Sequence, residues 1–217
     1  MSLQIDAGNS PAHLAAFRDS LGSLLAPGMV AITHSHWDHT YGLCAADIPA
    51  VCCENTQRHL QAMSRWHWDL PAMEQRVVSG EDILFCHEHI LAEYPDPQAI
   101  RVRPCDVVFS GSLTLDLGGV HAELMHLENS HADDCTVVYI PEERVLYLGD
   151  ITYEDLHHKP ECYHRRRFEA LLAELRLLDF DVVVPGHQPP LSREELMADL
   201  SAALSEAQQD GTLILDD

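Results

Sequence analysis

The chain has 217 residues, 46% of them hydrophobic, which is enough for one domain with a sizeable core. Its 13 basic and 35 acidic residues give a formal charge of −22, which argues against a nucleic-acid partner but not against a small anionic substrate met by a local cationic cluster. No apolar run approaches membrane-spanning length and no leader pattern opens the chain, while seven cysteines without Cys-x-x-Cys spacing point to buried, reduced thiols in the cytoplasm.

In chain order, Leu3 to Gly8 reads as a short strand ending in a turn. Ser10-Pro11 supplies an N-cap and a proline at the first helical position, and Leu14, Phe17, Leu21 and Leu24 recur at helical spacing, so a helix is expected over 11–25. Pro27-Gly28 ends it. The apolar run Met29-Val30-Ala31-Ile32 is a buried strand leading into Thr33-His34-Ser35-His36-Trp37-Asp38-His39-Thr40, with a short helix after it at Tyr41-Gly42-Leu43. In extended chain, side chains two apart point the same way. His34, His36 and Asp38 can therefore share a face, with His39 joining as the chain turns. Three imidazoles and a carboxylate in so short a stretch form a divalent-metal motif, with nitrogen and oxygen donors that suit zinc and also iron or manganese.

A strand over 50–54 and a helix from Asn55 to Trp66, capped by Asn55, follow. Residues 66–104 have poor periodicity and are rich in His, Trp, Tyr and Pro, so they read as an irregular insert within a single domain over 1–217; His87 and His89 are surface histidines in that reading. Strands are expected at 107–109, 112–117 and 120–127. A polar loop at 129–134 precedes a hairpin of 136–140 with 144–148. A helix over 165–178 carries Phe168, Leu171, Leu172, Leu175 and Leu178 on one face, 181–184 is a buried strand, and Ser192 with Glu195 forms a capping box for a last helix to about Gln209.

Three places share one grammar, an apolar strand followed by a His or Asp: Ile32-Thr33-His34, Leu148-Gly149-Asp150 and Val184-Pro185-Gly186-His187. His131 sits in a loop just before another strand. Such strand ends and loops are where ligands from distant parts of a chain meet around a metal.

The pattern His34-x-His36-x-Asp38-His39, then His131, Asp150 and His187, resembles the metallo-β-lactamase superfamily, from Ile5-Asp6-Ala7-Gly8 to the Pro-Gly-His turn. The resemblance implies an α/β (α+β) fold, a four-layer αββα sandwich, here without the usual first N-terminal strands, which leaves an open edge where a second copy can pair as a homodimer. It implies two divalent metal ions, zinc by preference, with His34, His36 and His131 on one, Asp38, His39 and His187 on the other, and Asp150 bridging. Two ions sharing a carboxylate and a water lower that water's pKa, and the implied activity is metal-dependent hydrolysis by a bridging hydroxide.

Aspartate at 150, where the zinc β-lactamases have cysteine, is similar to glyoxalase II and the lactonases, so the expected substrate is a small ester, lactone, thioester or phosphoester. Asp38 is a candidate both to hold a metal and to orient the nucleophile. Tyr153, spaced from Asp150 as in acyl-homoserine lactonases, is a candidate to assist the substrate carbonyl, and Arg165 and Arg166 to bind an anionic group. A mononuclear iron oxygenase of the persulfide dioxygenase kind and a metal-bound scaffold are the alternatives on the same ligands.

Overall fold

The computed structural model describes residues 1–22 and 26–214. The chain forms two compact units, Met1–Val108 and Phe109–Asp217.

The first unit opens with β1 (Leu3–Ile5), α1 (Pro11–Ser20), β2 (Met29–Ala31), α2 (Trp37–Thr40), a 3-10 turn (Tyr41–Ala45), β3 (Ala50–Cys53) and α3 (Glu54–Met63). It continues with α4 (Leu70–Ser79), α5 (Leu84–Glu93), a second 3-10 turn (Pro97–Ala99) and β4 (Val107–Phe109). The strands order β1-β2-β3-β4, and β1 with β2 and β2 with β3 are parallel. Ser10 caps α1 as expected, its hydroxyl accepting from the His13 N–H. Leu14 is its buried apolar residue, whereas Phe17 is exposed and Leu24 lies outside the described residues. α3 starts one residue earlier than expected. β3 runs into it with no loop between, so Cys53 is the N-cap and the Asn55 side chain accepts from Arg58 instead.

The expected irregular stretch at 66–104 is largely helical. Asp69 caps α4 by accepting from the Ala72 N–H, Pro71 sits in the first turn, and Gly80 closes the helix at φ +77°. Apolar periodicity failed to find these helices because it runs against burial. Leu70, Val78, Leu84 and Phe85 face solvent, while Arg76 is buried. The core of this unit gathers Val30, Ile32, Leu43, Leu60, Met73, Ile90 and Ile100 with Tyr41, Trp68 and Tyr94.

The second unit carries β5 (Ser112–Asp116), β6 (His121–His126), β7 (Thr136–Ile140), β8 (Val145–Gly149), β9 (Tyr163–His164) and α6 (Arg165–Leu177). It ends with β10 (Val182–Pro185), β11 (Leu191–Ser192), α7 (Arg193–Asp210) and β12 (Leu213–Ile214). Six strands order β11-β10-β8-β7-β6-β5, and β9 pairs in parallel with β12. The expected hairpin is present as β7 against β8, and β8 runs parallel to β10. The capping box of α7 forms as read, Ser192 accepting from the Glu195 N–H while the Glu195 carboxylate accepts from the Ser192 N–H. Phe168, Leu171 and Leu175 of α6, with Leu196 and Leu200 of α7, pack on Val137, Leu146, Leu148 and Val183. No helix among the described residues is long and apolar enough to cross a membrane.

Candidate metal centre

Each unit gathers donors by the same device: parallel neighbouring strands end side by side, so residues just past their C-terminal ends meet. In the first unit the register Ile5↔Ala31 brings Asp6 beside the chain leaving β2. The Asp6 N–H donates to the Ala31 carbonyl at 2.8 Å, and Asp6 takes a left-handed conformation, φ +58°. Its carboxylate then accepts three bonds: from the Thr33 N–H at 2.7 Å, from the Thr33 hydroxyl at 2.8 Å and from His39 Nδ1 at 2.8 Å.

These bonds decide two imidazole tautomers. A carboxylate only accepts, so the neutral His39 ring carries its proton on Nδ1 and keeps the Nε2 lone pair, 3.6 Å from Asp38 Oδ2. The one hydroxyl proton of Thr33 is committed to Asp6, so toward His34 Nδ1 at 3.0 Å the oxygen accepts, and His34 also keeps Nε2 as its lone pair. The rings gather closely, His34 with centroids 4.5 Å from His36 and 4.2 Å from His39. His34 and His39 are buried; His36 and Asp38 are half-exposed.

Around Tyr41 the segments flanking α4 and α5 supply an aromatic wall. Tyr41 stacks edge-on against Trp68 and Tyr94, and the Arg76 guanidinium lies 4.4 Å from the Trp66 ring and 4.8 Å from that of Trp68. Burial, reinforced by Asp82 and Asp38, pushes the Cys86 thiol up to about 12. His87, expected at the surface, is half-buried, and His89, tilted against Phe85, is exposed.

In the second unit β8 and β10 end in register, Gly149 opposite Pro185, and the Gly186 N–H donates to the Gly149 carbonyl at 2.9 Å. Asp150 and His187 therefore meet, with Oδ2 3.0 Å from Nε2. Glycine is required between them, because a Cβ at position 186 would lie 2.1 Å from Asp150 Oδ1. His131 approaches the same carboxylate oxygen with Nε2 at 4.0 Å, and its Nδ1 is held by the Glu154 carbonyl at 3.0 Å. Asp150 and His131 are buried, whereas His187 has 48% of its side chain exposed.

Tyr153 stands 5.9 Å from the His131 ring and 6.4 Å from that of His187, and burial and then the Asp150 charge raise its pKa. Arg165 and Arg166 open α6, the first half-buried and the second exposed. Asp6, Thr33 and Glu154 escaped the sequence reading, since nothing in a lone Asp, Thr or backbone carbonyl marks it as the holder of a distant imidazole. The left-handed φ of Asp6 is visible only in the fold.

The donor chemistry fits divalent metal. Each of His34, His39 and His131 has Nδ1 engaged by a neighbouring oxygen, and Nε2 of His39 and of His131 is turned toward the Asp38 and Asp150 carboxylates. This is the arrangement in which ligating histidines are held.

Comparison with family models matches residues 5–187 to the metallo-beta-lactamase superfamily. The chain belongs to that superfamily. Among curated proteins it is 30% identical over 100 residues to a linear primary-alkylsulfatase of Pseudomonas sp. (strain ATCC 19151); the match covers 43% of this chain and 19% of that enzyme. Among solved structures, a metallo-beta-lactamase from Pontibacter korlensis superposes with TM-score 0.62 at 20% identity, covering 92% of this chain and 80% of its own. The sec-alkylsulfatase Pisa1 from Pseudomonas sp. superposes with TM-score 0.65 at 15% identity, covering 92% of this chain but 36% of its own. The chain thus spans about a fifth of the curated relative and about a third of the second structure, and both solved structures carry the fold expected from the ligand pattern.

Proposed function

We propose that the chain is a metal-dependent hydrolase of a small ester, lactone, thioester or phosphoester. The observation that supports it is the prior orientation of the ring nitrogens: Asp6 sets His39 and, through Thr33, His34, while the Glu154 carbonyl sets His131. Bonds made before the metal arrives remove the rotational freedom that loading would otherwise cost. In this reading His34, His36 and His131 would hold one divalent ion and Asp38, His39 and His187 a second, with Asp150 available to both. Zinc is the preferred metal, and a reducing cytoplasm suits the buried cysteines.

Two such ions, when bound, supply Lewis acidity and an acidified water. The residues of the chain do the rest. Asp38, half-exposed beside His39, orients the attacking water through its second carboxylate oxygen. Tyr153 donates its phenol proton in a hydrogen bond to the oxygen on which charge develops. Arg165 and Arg166 meet an anionic portion of the substrate. The alkylsulfatase relatives favour one extension of the substrate list, a sulfate ester, whose anionic head suits the same arginines.

The test is metal content per chain on protein purified without chelator, wild type beside Asp150→Ala, followed by a screen of carboxylic, thio-, phospho- and sulfate esters. About two zinc ions in the wild type, fewer in the variant, and turnover of one ester class are the expected results. A single iron with oxygen consumption would transfer the chain to oxygenase chemistry. A fully loaded protein inert toward every class would leave it as a metal-bound scaffold.

A further inference from the structure

The loop that follows Tyr153 holds a second convergence of donors, unused by the reading above. Asp155 and Cys162 face each other across an isolated antiparallel bridge, the Asp155 N–H donating to the Cys162 carbonyl at 2.8 Å and the Cys162 N–H to that of Asp155 at 3.4 Å. Residues directly opposite in such a bridge project to the same side, and so does the residue two further along the strand. Asp155, Cys162 and His164 therefore share one face of the ribbon. One donor atom from each lies within 4.8 Å of the other two, and His164 Nε2 stands 3.1 Å from Asp155 Oδ2.

We propose that Asp155, Cys162 and His164 form a separate, thiolate-containing zinc site that clamps the 155–164 loop. Three arguments converge on it. In tetrahedral zinc the donors of such a set stand about 3.3–3.6 Å apart, so a set already within 4.8 Å closes onto an ion when pair distances change by about 1.5 Å or less. The charge balances: one carboxylate, one thiolate and a neutral imidazole cancel a dication, which is what a fully buried sulfur requires, and Cys162 has 0% exposure. The carboxylate is already braced, since Asp155 Oδ1 accepts from the His157 and His158 N–H groups at 2.9 and 3.2 Å, so its other oxygen is aimed at the cluster.

Binding forms three metal–ligand bonds and releases the thiol proton to solvent; the fourth position falls to water. The clamp flanks the candidate metal ligand His131 on both sides. Glu154, next to Asp155, holds His131 Nδ1, and the His164 N–H donates at 3.0 Å to Ser130, the neighbour of His131. Zinc here fixes the setting of His131 without touching substrate.

Cobalt distinguishes this site, because the candidate centre contains only imidazoles and carboxylates. Full-length protein stripped with chelator, kept reduced and titrated with Co²⁺ alone should develop a near-ultraviolet thiolate-to-cobalt absorption whose plateau has the intensity of one thiolate–cobalt bond per chain. That band should vanish in Cys162→Ser, weaken in Asp155→Asn and His164→Ala, and survive in Asp150→Ala and Cys44→Ser. Zinc-loaded wild type should carry one more ion per chain than Cys162→Ser, whatever the occupancy of the other centre. Absence of the band, or its persistence in Cys162→Ser, would overturn the proposal. If the serine variant does not fold, Asp155→Asn and His164→Ala, which leave the buried thiol in place, decide it: unaltered cobalt titrations in both refute the site.

Discussion

Replacing Asp6 with asparagine tests whether one carboxylate sets two metal-facing imidazoles. The substitution keeps size, tolerates the φ of +58° as few other residues do, and leaves an oxygen to accept from the Thr33 N–H. Its NH₂ then occupies the place of Oδ2, the oxygen that takes the Thr33 hydroxyl and His39 Nδ1. A donor there obliges His39 Nδ1 to accept, which moves the ring proton to Nε2, the nitrogen needed for metal. The Thr33 hydroxyl, now an acceptor, is free to turn its proton onto His34 Nδ1, with the same result at the second ring.

Each mis-set ligand is worth about 10- to 100-fold in metal affinity, or about 1.4–2.8 kcal/mol. The metal-free fold should lose less, about 1–2 kcal/mol, because charged hydrogen bonds are exchanged for neutral ones without leaving a donor unpaired. Asp6→Ala would instead strand the buried Thr33 N–H and strain the backbone, confusing folding with metal loss. Competition of zinc against a chromophoric chelator, with thermal melts of the metal-free proteins, separates the terms. Asp6→Asn binding zinc with wild-type affinity would refute the tautomer argument.

Two further outcomes follow from geometry and charge. Gly186→Ala, whose Cβ meets Asp150 Oδ1 at 2.1 Å, should displace that carboxylate, costing about 1–3 kcal/mol of stability and lowering metal content while the fold persists; unchanged metal content by mass spectrometry would contradict it. On the surface, the Glu142 hydrogen bond raises the His121 pKa above 6.5, and the same pair lowers Glu142 from 4.5 to about 2. The Glu142 share of stability is present above pH 4.5 and lost as pH falls toward 2, whereas the His121 share is present below 6.5 and lost as pH rises through its raised value, so both act together between about 4.5 and 6.5. In Glu142→Gln the His121 titration followed by NMR should drop back toward its ordinary midpoint; an unmoved midpoint would dismiss the pairing.

Local rules were enough for much of this protein. The cap at Ser10, the capping box of Ser192 and Glu195, the hairpin of β7 and β8 and the apolar face of α6 each depend on neighbours a few residues apart, and all stand where the sequence put them. The His-rich motif and the fold family were equally legible, because metal-capable side chains after apolar strands form a pattern that chance seldom produces. Other features depended on chain segments far apart in sequence. α4 and α5 were hidden because their burial puts an arginine inward, between two tryptophans, and leaves leucines outward. Asp6 and Thr33 are 27 residues apart, and only the parallel register of β1 with β2 gives one carboxylate the setting of two imidazoles. Asp155, Cys162 and His164 carry no metal-motif spacing in the sequence, and only the bridge at Asp155 and Cys162 turns them onto one face. A sequence records which donors are available; hydrogen bonds between distant backbone segments decide which of them meet and which nitrogen each turns to the metal.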